Sequence, residues 1–283
     1  MRERSQRFDP RQIMQSDTFE VFHYREPRAN TVEVHHHDFY EIYYLISGNV
    51  EYWIDGRIIR MEPGDLLLIN PMELHRPMLE QGTLYERFVL WINKAFLENI
   101  SSKEPLNQCF DTSRPNRTNL IRPSQAERTM LMTRLAEMVR ESYSQDFGGS
   151  ISAYGQFLQF MVQLNRLAGR TDYQEESQQR SPLVQRVLQY VSEHFSEPIC
   201  LEQLAAEFYI SKYHLAHAFS REVGVSIYRY IMLRRLLLAR QLLAGGESAK
   251  QVCRSCGFSD YTSFYRAFKS EYGISPGKIA GGG

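Results

Sequence analysis

The stretch His35-His36-His37-Asp38-Phe39-Tyr40-Glu41-Ile42-Tyr43-Tyr44-Leu45-Ile46-Ser47-Gly48 places three imidazoles and a carboxylate around the start of an apolar run. Those side chains could form the metal site of an enzyme, or line a pocket that only senses a small molecule. The local residues do not choose between the two, because both jobs use the same groups. In an extended chain, alternation puts His35 and His37 on one face and His36 on the other. The choice rests on the elements that hold these residues and on the rest of the chain.

The chain has 283 residues, enough for two ordinary domains. Apolar residues make up 43% and charged residues 23%, which excludes wholesale disorder. The four cysteines, Cys109, Cys200, Cys253 and Cys256, imply no disulfide framework. The N-terminus MRERSQRFDP lacks the apolar core of a signal peptide. A reducing, cytoplasmic setting is therefore expected. The longest uncharged stretch, Phe147 to Asn165, carries Gln156, Gln159 and Gln163 with several Gly and Ser, so no membrane span or membrane partner is expected. The net charge of zero hides an asymmetry. Residues 1–182 hold 21 Lys+Arg against 25 Asp+Glu, and residues 183–283 hold 12 against 8. The basic final third points to a polyanion, most often nucleic acid.

From about 17 to 92 the texture is short β-type runs (EIYYLI, VEYWI, RIIRM, DLLLIN, LYERFVLWI) broken by Ser47-Gly48, Asp55-Gly56 and Pro63-Gly64-Asp65. Asp55-Gly56 between VEYWI and RIIRM is a two-residue hairpin signal. This many short strands in so few residues predict a small barrel or jelly roll. From about 124 to 168 the period turns helical. Leu131, Leu135, Met138 and Val139 share one face, and Phe157, Leu158, Met161 and Leu164 another. Those stripes can cover the barrel or pair with a second copy, and both uses are expected. The polar stretch 169–182, GRTDYQEESQQRSP, reads as a linker.

Beyond it the pattern is helical and duplicated. "REVGVS" (221–226) returns 49 residues later as "SEYGIS" (270–275), and Leu215, Phe219 and Gly224 map onto Phe264, Phe268 and Gly273. Each copy has a short helix, a tight turn, a cap (Ser211; Ser259 or Asp260) and a second helix ending at Gly. That is helix-turn-helix geometry. Between the copies Ile227 to Leu243 forms one long helix, with Tyr230, Leu233, Leu237 and Leu238 inward and Arg234, Arg235 and Arg240 outward. Cys253-x-x-Cys256 has no partner pair for a zinc site and falls at core positions.

These residues resemble the C-terminal DNA-binding domain of the AraC/XylS regulators, above all "GFSDYTSFYRAFKSEYGISP" (257–276) and "LEQLAAEFYISKYHLAHAFSREVGVSIYRYIMLRRLLLARQLL" (201–243). The resemblance implies a recognition helix in each unit. Lys212, Tyr213, His214, Ala216 and His217 would face DNA from the first, and Tyr261, Thr262, Ser263, Tyr265 and Arg266 from the second. Family members commonly carry a polar residue and then Arg where this chain has Ala216-His217, so the first helix departs from the pattern. The implied partners are double-stranded DNA, a small-molecule effector, a second copy of the chain and RNA polymerase.

The opening stretch in turn resembles the first cupin motif, His35-x-His37-x3-Glu41-x6-Gly48, and "GDLLLINPMELH" (64–75) resembles the second, ending in His75. Three readings follow. In one, His35, His37, Glu41 and His75 line a metal-free effector pocket with Tyr43, Trp53, Arg87 and Trp91, suited to a sugar or similar polyol. In another, the same four residues hold a divalent transition metal (Zn, Ni, Mn or Fe) that is structural or helps bind the effector. In the third, His35 to His37 are solvated strand-end residues. The expected protein is α+β: a cupin-like sensing and dimerisation domain (1–168), a linker (169–182) and an AraC-type DNA-binding domain with two helix-turn-helix units (183–283). It is expected to regulate transcription and not to be an enzyme, because an attached DNA reader gives the barrel a sufficient use. The rivals are a metal-dependent cupin enzyme, a metal-responsive regulator, and a non-sensing architectural or RNA-binding protein.

Overall fold

The computed structural model describes residues 13–26, 32–80, 82, 84–101, 104–111, 118–170, 177–178 and 181–280. The chain forms two compact units, Met1–Gln178 and Gln179–Gly283. In the first, β1 (Phe19–Glu26), β2 (Tyr40–Ser47), β3 (Val50–Ile54), β4 (Arg57–Met61), β5 (Leu66–Ile69), β6 (His75–Leu79) and β7 (Tyr85–Ile92) precede α1 (Lys94–Ile100). A 3-10 turn at Gln108–Phe110, β8 (Leu120–Ile121), α2 (Gln125–Ser142), α3 (Gly149–Ala168) and β9 (Ser177–Gln178) complete it.

Two antiparallel sheets are built, one ordered β1-β7-β2-β5-β8 and the other β6-β3-β4-β9. They enclose a shared interior to which Phe39, Tyr43, Leu67, Val89 and Trp91 come from the first sheet and its approaches, and Val50, Tyr52, Ile54, Ile59 and Met61 from the second. The β3–β4 hairpin closes where expected. Ile54 pairs Arg57, and Asp55 (φ 38°) and Gly56 (φ 102°) make a turn whose positive φ values match strand twist.

Strand β2 is buried on both faces, and that decides what α2 and α3 do. Tyr40, Ile42 and Tyr44 point away from the interior and join Val21, Leu66, Leu68, Phe88, Leu90 and Ile92 in a second core. Leu131, Leu135 and Met138 of α2 and Phe157, Phe160, Met161 and Leu164 of α3 bury themselves on this outer face of the five-stranded sheet. The predicted helical stripes thus cover the sheet. Val139 and Leu158 lie at the edge of the same contact, half-buried. Each truncation of a buried Leu or Phe here would cost about 2–5 kcal/mol.

The stretch expected as a linker contributes structure at its described residues: Ser177 pairs Ile59 and Gln178 pairs Ile58, adding β9 to the open edge of β4. This corrects the boundary, because 177–178 belong with the first unit. A polar sequence conceals such a strand, since edge pairing uses the backbone and needs no apolar side chain.

The second unit contains α4 (Pro182–His194), α5 (Leu201–Glu207), α6 (Lys212–Val223), α7 (Ile227–Ala244), α8 (Ala249–Ser255), α9 (Tyr261–Tyr272) and α10 (Pro276–Ala280). The caps are as the repeat requires. Ser211 accepts from His214 N and Asp260 from Ser263 N, which settles the second cap on Asp260. Gly224 (φ 91°) and Gly273 (φ 72°) end α6 and α9 in the left-handed region. Cys253 and Cys256 are buried in the apolar cluster with Phe258, Phe264 and Phe268, and burial pushes the Cys256 thiol up to about 12. Among the described residues no helix is long and apolar enough to cross a membrane.

Gly257 enforces the turn between α8 and α9. Its φ is +76°, and a Cβ there would lie 2.2 Å from the Ser196 carbonyl oxygen. Gly257→Ala should therefore destabilise the second unit by at least about 1–3 kcal/mol. Both tryptophans, Trp53 and Trp91, lie in the first unit. Urea unfolding followed by helical circular dichroism should shift, while the tryptophan fluorescence transition should not.

Candidate functional site

In the first unit the site grows from the inward face of β2. Because Tyr40 and Ile42 face the helices, Glu41 faces the interior between the two sheets, where it is fully buried. Its Oε2 lies 2.9 Å from His37 Nε2 and 3.4 Å from His75 Nε2. Its Oε1 accepts from Trp91 Nε1 at 2.6 Å, across the β2–β7 pair in which Glu41 and Trp91 are directly opposite. The donor atoms of His37, Glu41 and His75 all fall within 4.8 Å of one another. His35 stands beside them, its ring centroid 4.2 Å from that of His75 and 6.4 Å from that of His37. Paired backbone bonds of 3.0 and 2.9 Å tie His35 to His75.

All three imidazoles are oriented the same way. Nδ1 of His35, His37 and His75 lies 2.9 Å from the carbonyl oxygens of Glu33, Phe39 and Glu73 respectively. A carbonyl only accepts, so each Nδ1 carries a proton and it is each Nε2 that is left to face the cluster. His37 is held further by stacking on Phe39, with centroids 4.0 Å apart. His37 Nε2 faces a carboxylate oxygen at 2.9 Å, a contact that calls for a shared cation, either a proton or a metal ion. Burial would raise Glu41, but the His37 and His75 rings bring it well below the usual carboxylate range. Burial lowers His35 and His37, His35 well below the ordinary imidazole value.

Most of the expected pocket residues meet here. Tyr43 and Trp91 line the interior, and Arg87 follows on the same face of β7 with its guanidinium carbon 4.0 Å from the Tyr85 ring centroid. Two expectations are corrected. His35, His36 and His37 are all buried, so they are not solvated strand-end residues. Trp53 is buried but lies on the opposite face of β3 from Tyr52 and Ile54, outside the enclosed interior. Tyr52 takes the interior place, its hydroxyl 3.0 Å from that of Tyr85. Sequence reasoning missed Tyr24, Tyr52 and Tyr85. Alternation from Arg87 and Trp91 identifies Tyr85, but VEYWI carries aromatics in both parities and does not disclose which one faces in.

In the second unit, α5–α6 and α8–α9 are the two helix-turn-helix pairs. On α6, Lys212, Tyr213, His214 and His217 are exposed and Ala216 is half-buried, opposite buried Leu215 and Phe219. On α9, Tyr261, Thr262, Ser263 and Arg266 are exposed and Tyr265 is half-buried, opposite buried Phe264 and Phe268. Lys212 Nζ reaches Glu202 Oε1 at 3.1 Å. The arginines of α7 are less available than expected. Arg235 donates to the carbonyls of Phe195 at 2.6 Å and Glu197 at 2.7 Å, and Arg240 lies over the Tyr272 ring.

Residues 18–161 match the family model of the AraC-like ligand binding domain, and residues 204–281 match a helix-turn-helix domain model. The chain belongs to the AraC family of transcriptional regulators: a ligand-binding domain followed by a helix-turn-helix DNA-binding domain. It is 26% identical over 262 residues to the HTH-type transcriptional activator RhaS of Klebsiella pneumoniae (strain 342), covering 91% of each chain. Its identity to the HTH-type transcriptional regulator YfiF of Bacillus subtilis (strain 168) is also 26%, over 94% of this chain and 84% of that one. Among solved structures, the C-terminal domain of AraT, a response regulator from Geobacillus stearothermophilus, aligns with 28% identity and a TM-score of 0.35, covering 36% of this chain and 87% of that one. ToxT from Vibrio cholerae aligns over 93% of this chain and 98% of its own with 14% identity and a TM-score of 0.38.

The buried cluster makes the first unit acid-sensitive. Glu41, His35 and His37 all have folded pKa values below their ordinary ones, so the folded state binds fewer protons than the unfolded chain in mild acid. Their stabilising share is present above the unfolded values and is lost as pH falls through the folded ones. The tryptophan-monitored melting temperature should drop on acidification below about pH 6.5, the ordinary imidazole value. A His37→Ala, Glu41→Gln double variant should show a shallower slope. An unchanged slope would place the acid sensitivity elsewhere.

Proposed function

We propose that this regulator senses a small molecule at the interior cluster around Glu41, and that occupancy shifts the population of its DNA-competent state. The observation that carries the reading is the convergence of His37, Glu41 and His75 in a buried interior, in a chain that also bears two helix-turn-helix units. A sugar or related metabolite is the effector class that the polar groups and aromatic faces suit. The regulator acts in the cytoplasm as a homodimer on double-stranded DNA, with RNA polymerase as the downstream partner. Mass spectrometry of whatever copurifies, followed by operator titration with and without it, tests the reading. An effector that leaves operator affinity and melting temperature unchanged would count against it.

A second reading is favoured by the three oriented imidazoles. Nε2 of His37 and His75 and a Glu41 oxygen, with His35 alongside, fit a divalent transition metal such as Zn, Ni, Mn or Fe. Such an ion would supply a fixed positive charge that satisfies the opposed lone pairs. The protein should then bind about one equivalent, and His37→Ala should weaken binding by roughly 10–100-fold or more. Equal metal content in His37→Ala and wild type would remove this reading while leaving the effector reading standing.

For DNA, Lys212, Tyr213, His214, Ala216 and His217 on α6, and Tyr261, Thr262, Ser263, Tyr265 and Arg266 on α9, are the proposed contacts. Arg266 is the strongest base reader, since a guanidinium can bond both acceptors of a guanine edge. Arg266→Ala should cost about 1–3 kcal/mol at the operator and relax preference at one base position. Titration against operator and scrambled DNA checks this, and equal weakening on both would reassign Arg266 to the phosphates.

A further inference from the structure

We propose that the effector is a small hydroxy acid of the sugar-acid type, whose carboxylate docks on Arg87 while its hydroxyls face the Glu41 end. This rests on the effector reading above and names the chemistry of that ligand. Arg87 projects from β7 into the enclosed interior, four residues before Trp91, with only 14% of its side chain exposed. The Tyr85 and Tyr24 rings hold the guanidinium, their centroids 4.0 and 4.9 Å from its central carbon. Glu26 accepts from Nη1 at 3.1 Å. Nε is shielded from solvent and meets no acceptor among the described residues. Nε–H and one N–H of the second terminal nitrogen point in parallel along a single edge, the edge that takes a carboxylate in bidentate fashion. Glu26 therefore occupies the wrong nitrogen to fill it.

The interior has a donor end and an acceptor end. Around Arg87 stand the buried hydroxyls of Tyr43, Tyr52 and Tyr85, and the field of Arg87 reaches all three. Tyr43, two residues along β2 from Glu41 and paired with Val89 between Trp91 and Arg87, lies between the two ends. At the Glu41 end the balance reverses, because the imidazole Nδ1–H groups are spent on backbone carbonyls and the Glu41 carboxylate offers only acceptors. A complementary ligand is acceptor-rich at one end and donor-rich at the other. A neutral sugar would bring hydroxyl protons to an end already rich in donors, and a carboxylate brings none. A phosphate dianion is a poor match for one guanidinium that already faces Glu26, whose own charge sits at the partly exposed rim.

The test is calorimetric titration of the full-length protein with D-galacturonate, D-glucuronate and D-gluconate, each beside a neutral match: the uronamides and D-glucitol. At least one acid should bind, and its neutral match should bind roughly 10–100-fold more weakly, the equivalent of one lost charged hydrogen-bonding partner. An Arg87→Met, Glu26→Gln variant, which leaves no unpaired charge, should bind acid and neutral match alike. If that variant fails to fold, the comparison of acid with neutral match in the wild type still decides. A neutral match that binds as tightly as its acid overturns the proposal and leaves the effector reading intact. Absence of binding by every acid overturns it too, whereas the effector reading is judged separately on the copurifying ligand.

Discussion

A carboxylate buried without charge or hydrogen-bond partners is among the costliest things a protein interior can contain. Glu41 is fully buried, and much of the first unit is arranged to meet that cost. Trp91 supplies an indole donor from the paired strand, and His37 comes from the chain just before β2. His75 arrives from the start of β6, brought there by the backbone bridge to His35. The two sheets are therefore joined by polar contacts at this point as well as by the apolar packing of their inner faces. The backbone carbonyls of Glu33, Phe39 and Glu73 fix the imidazole orientations, so the cluster is held in one arrangement by the backbone.

This arrangement explains why the same residue types can serve sensing or catalysis. Imidazoles and a carboxylate converging in a buried interior are groups that either use could take up. What distinguishes this chain is its second unit, where the duplicated α5–α6 and α8–α9 pairs leave polar and aromatic side chains exposed on α6 and α9 above apolar undersides. The Gly257 turn and the Arg235 bonds to the chain after α4 tie the second pair and the long helix to one scaffold, so α7 and α9 are placed by backbone and core.

Much of this was legible in the residues. The Asp55-Gly56 hairpin, the helical stripes of α2 and α3, the caps at Ser211 and Asp260 and the terminal glycines of α6 and α9 are signals a few residues long, and local sterics and hydrogen bonding enforce them wherever they occur. The presence of a His and Glu cluster was equally readable, because its members lie at short spacings along two stretches. Less of the site was readable on β3, where Tyr52 and Trp53 are both large and aromatic. Only the pairing of β3 with β4 and β6, and the position of the second sheet, decides which of them faces in.

The sequence by itself determined most of the elements, their order, the duplication and the residue types that could do chemistry, since each of these follows from patterns no longer than a helix or a hairpin. Tertiary structure alone decided that α2 and α3 cover the outer face of the five-stranded sheet, and that Ser177–Gln178 pair with β4. It also decided that Arg235 is spent on carbonyls and that Arg87 lies between two tyrosine rings with its Nε meeting no acceptor among the described residues. The physical reason is shared by all four. Which face of an element is buried, and which donor finds an acceptor, depends on groups tens of residues away that only the packed chain brings within reach.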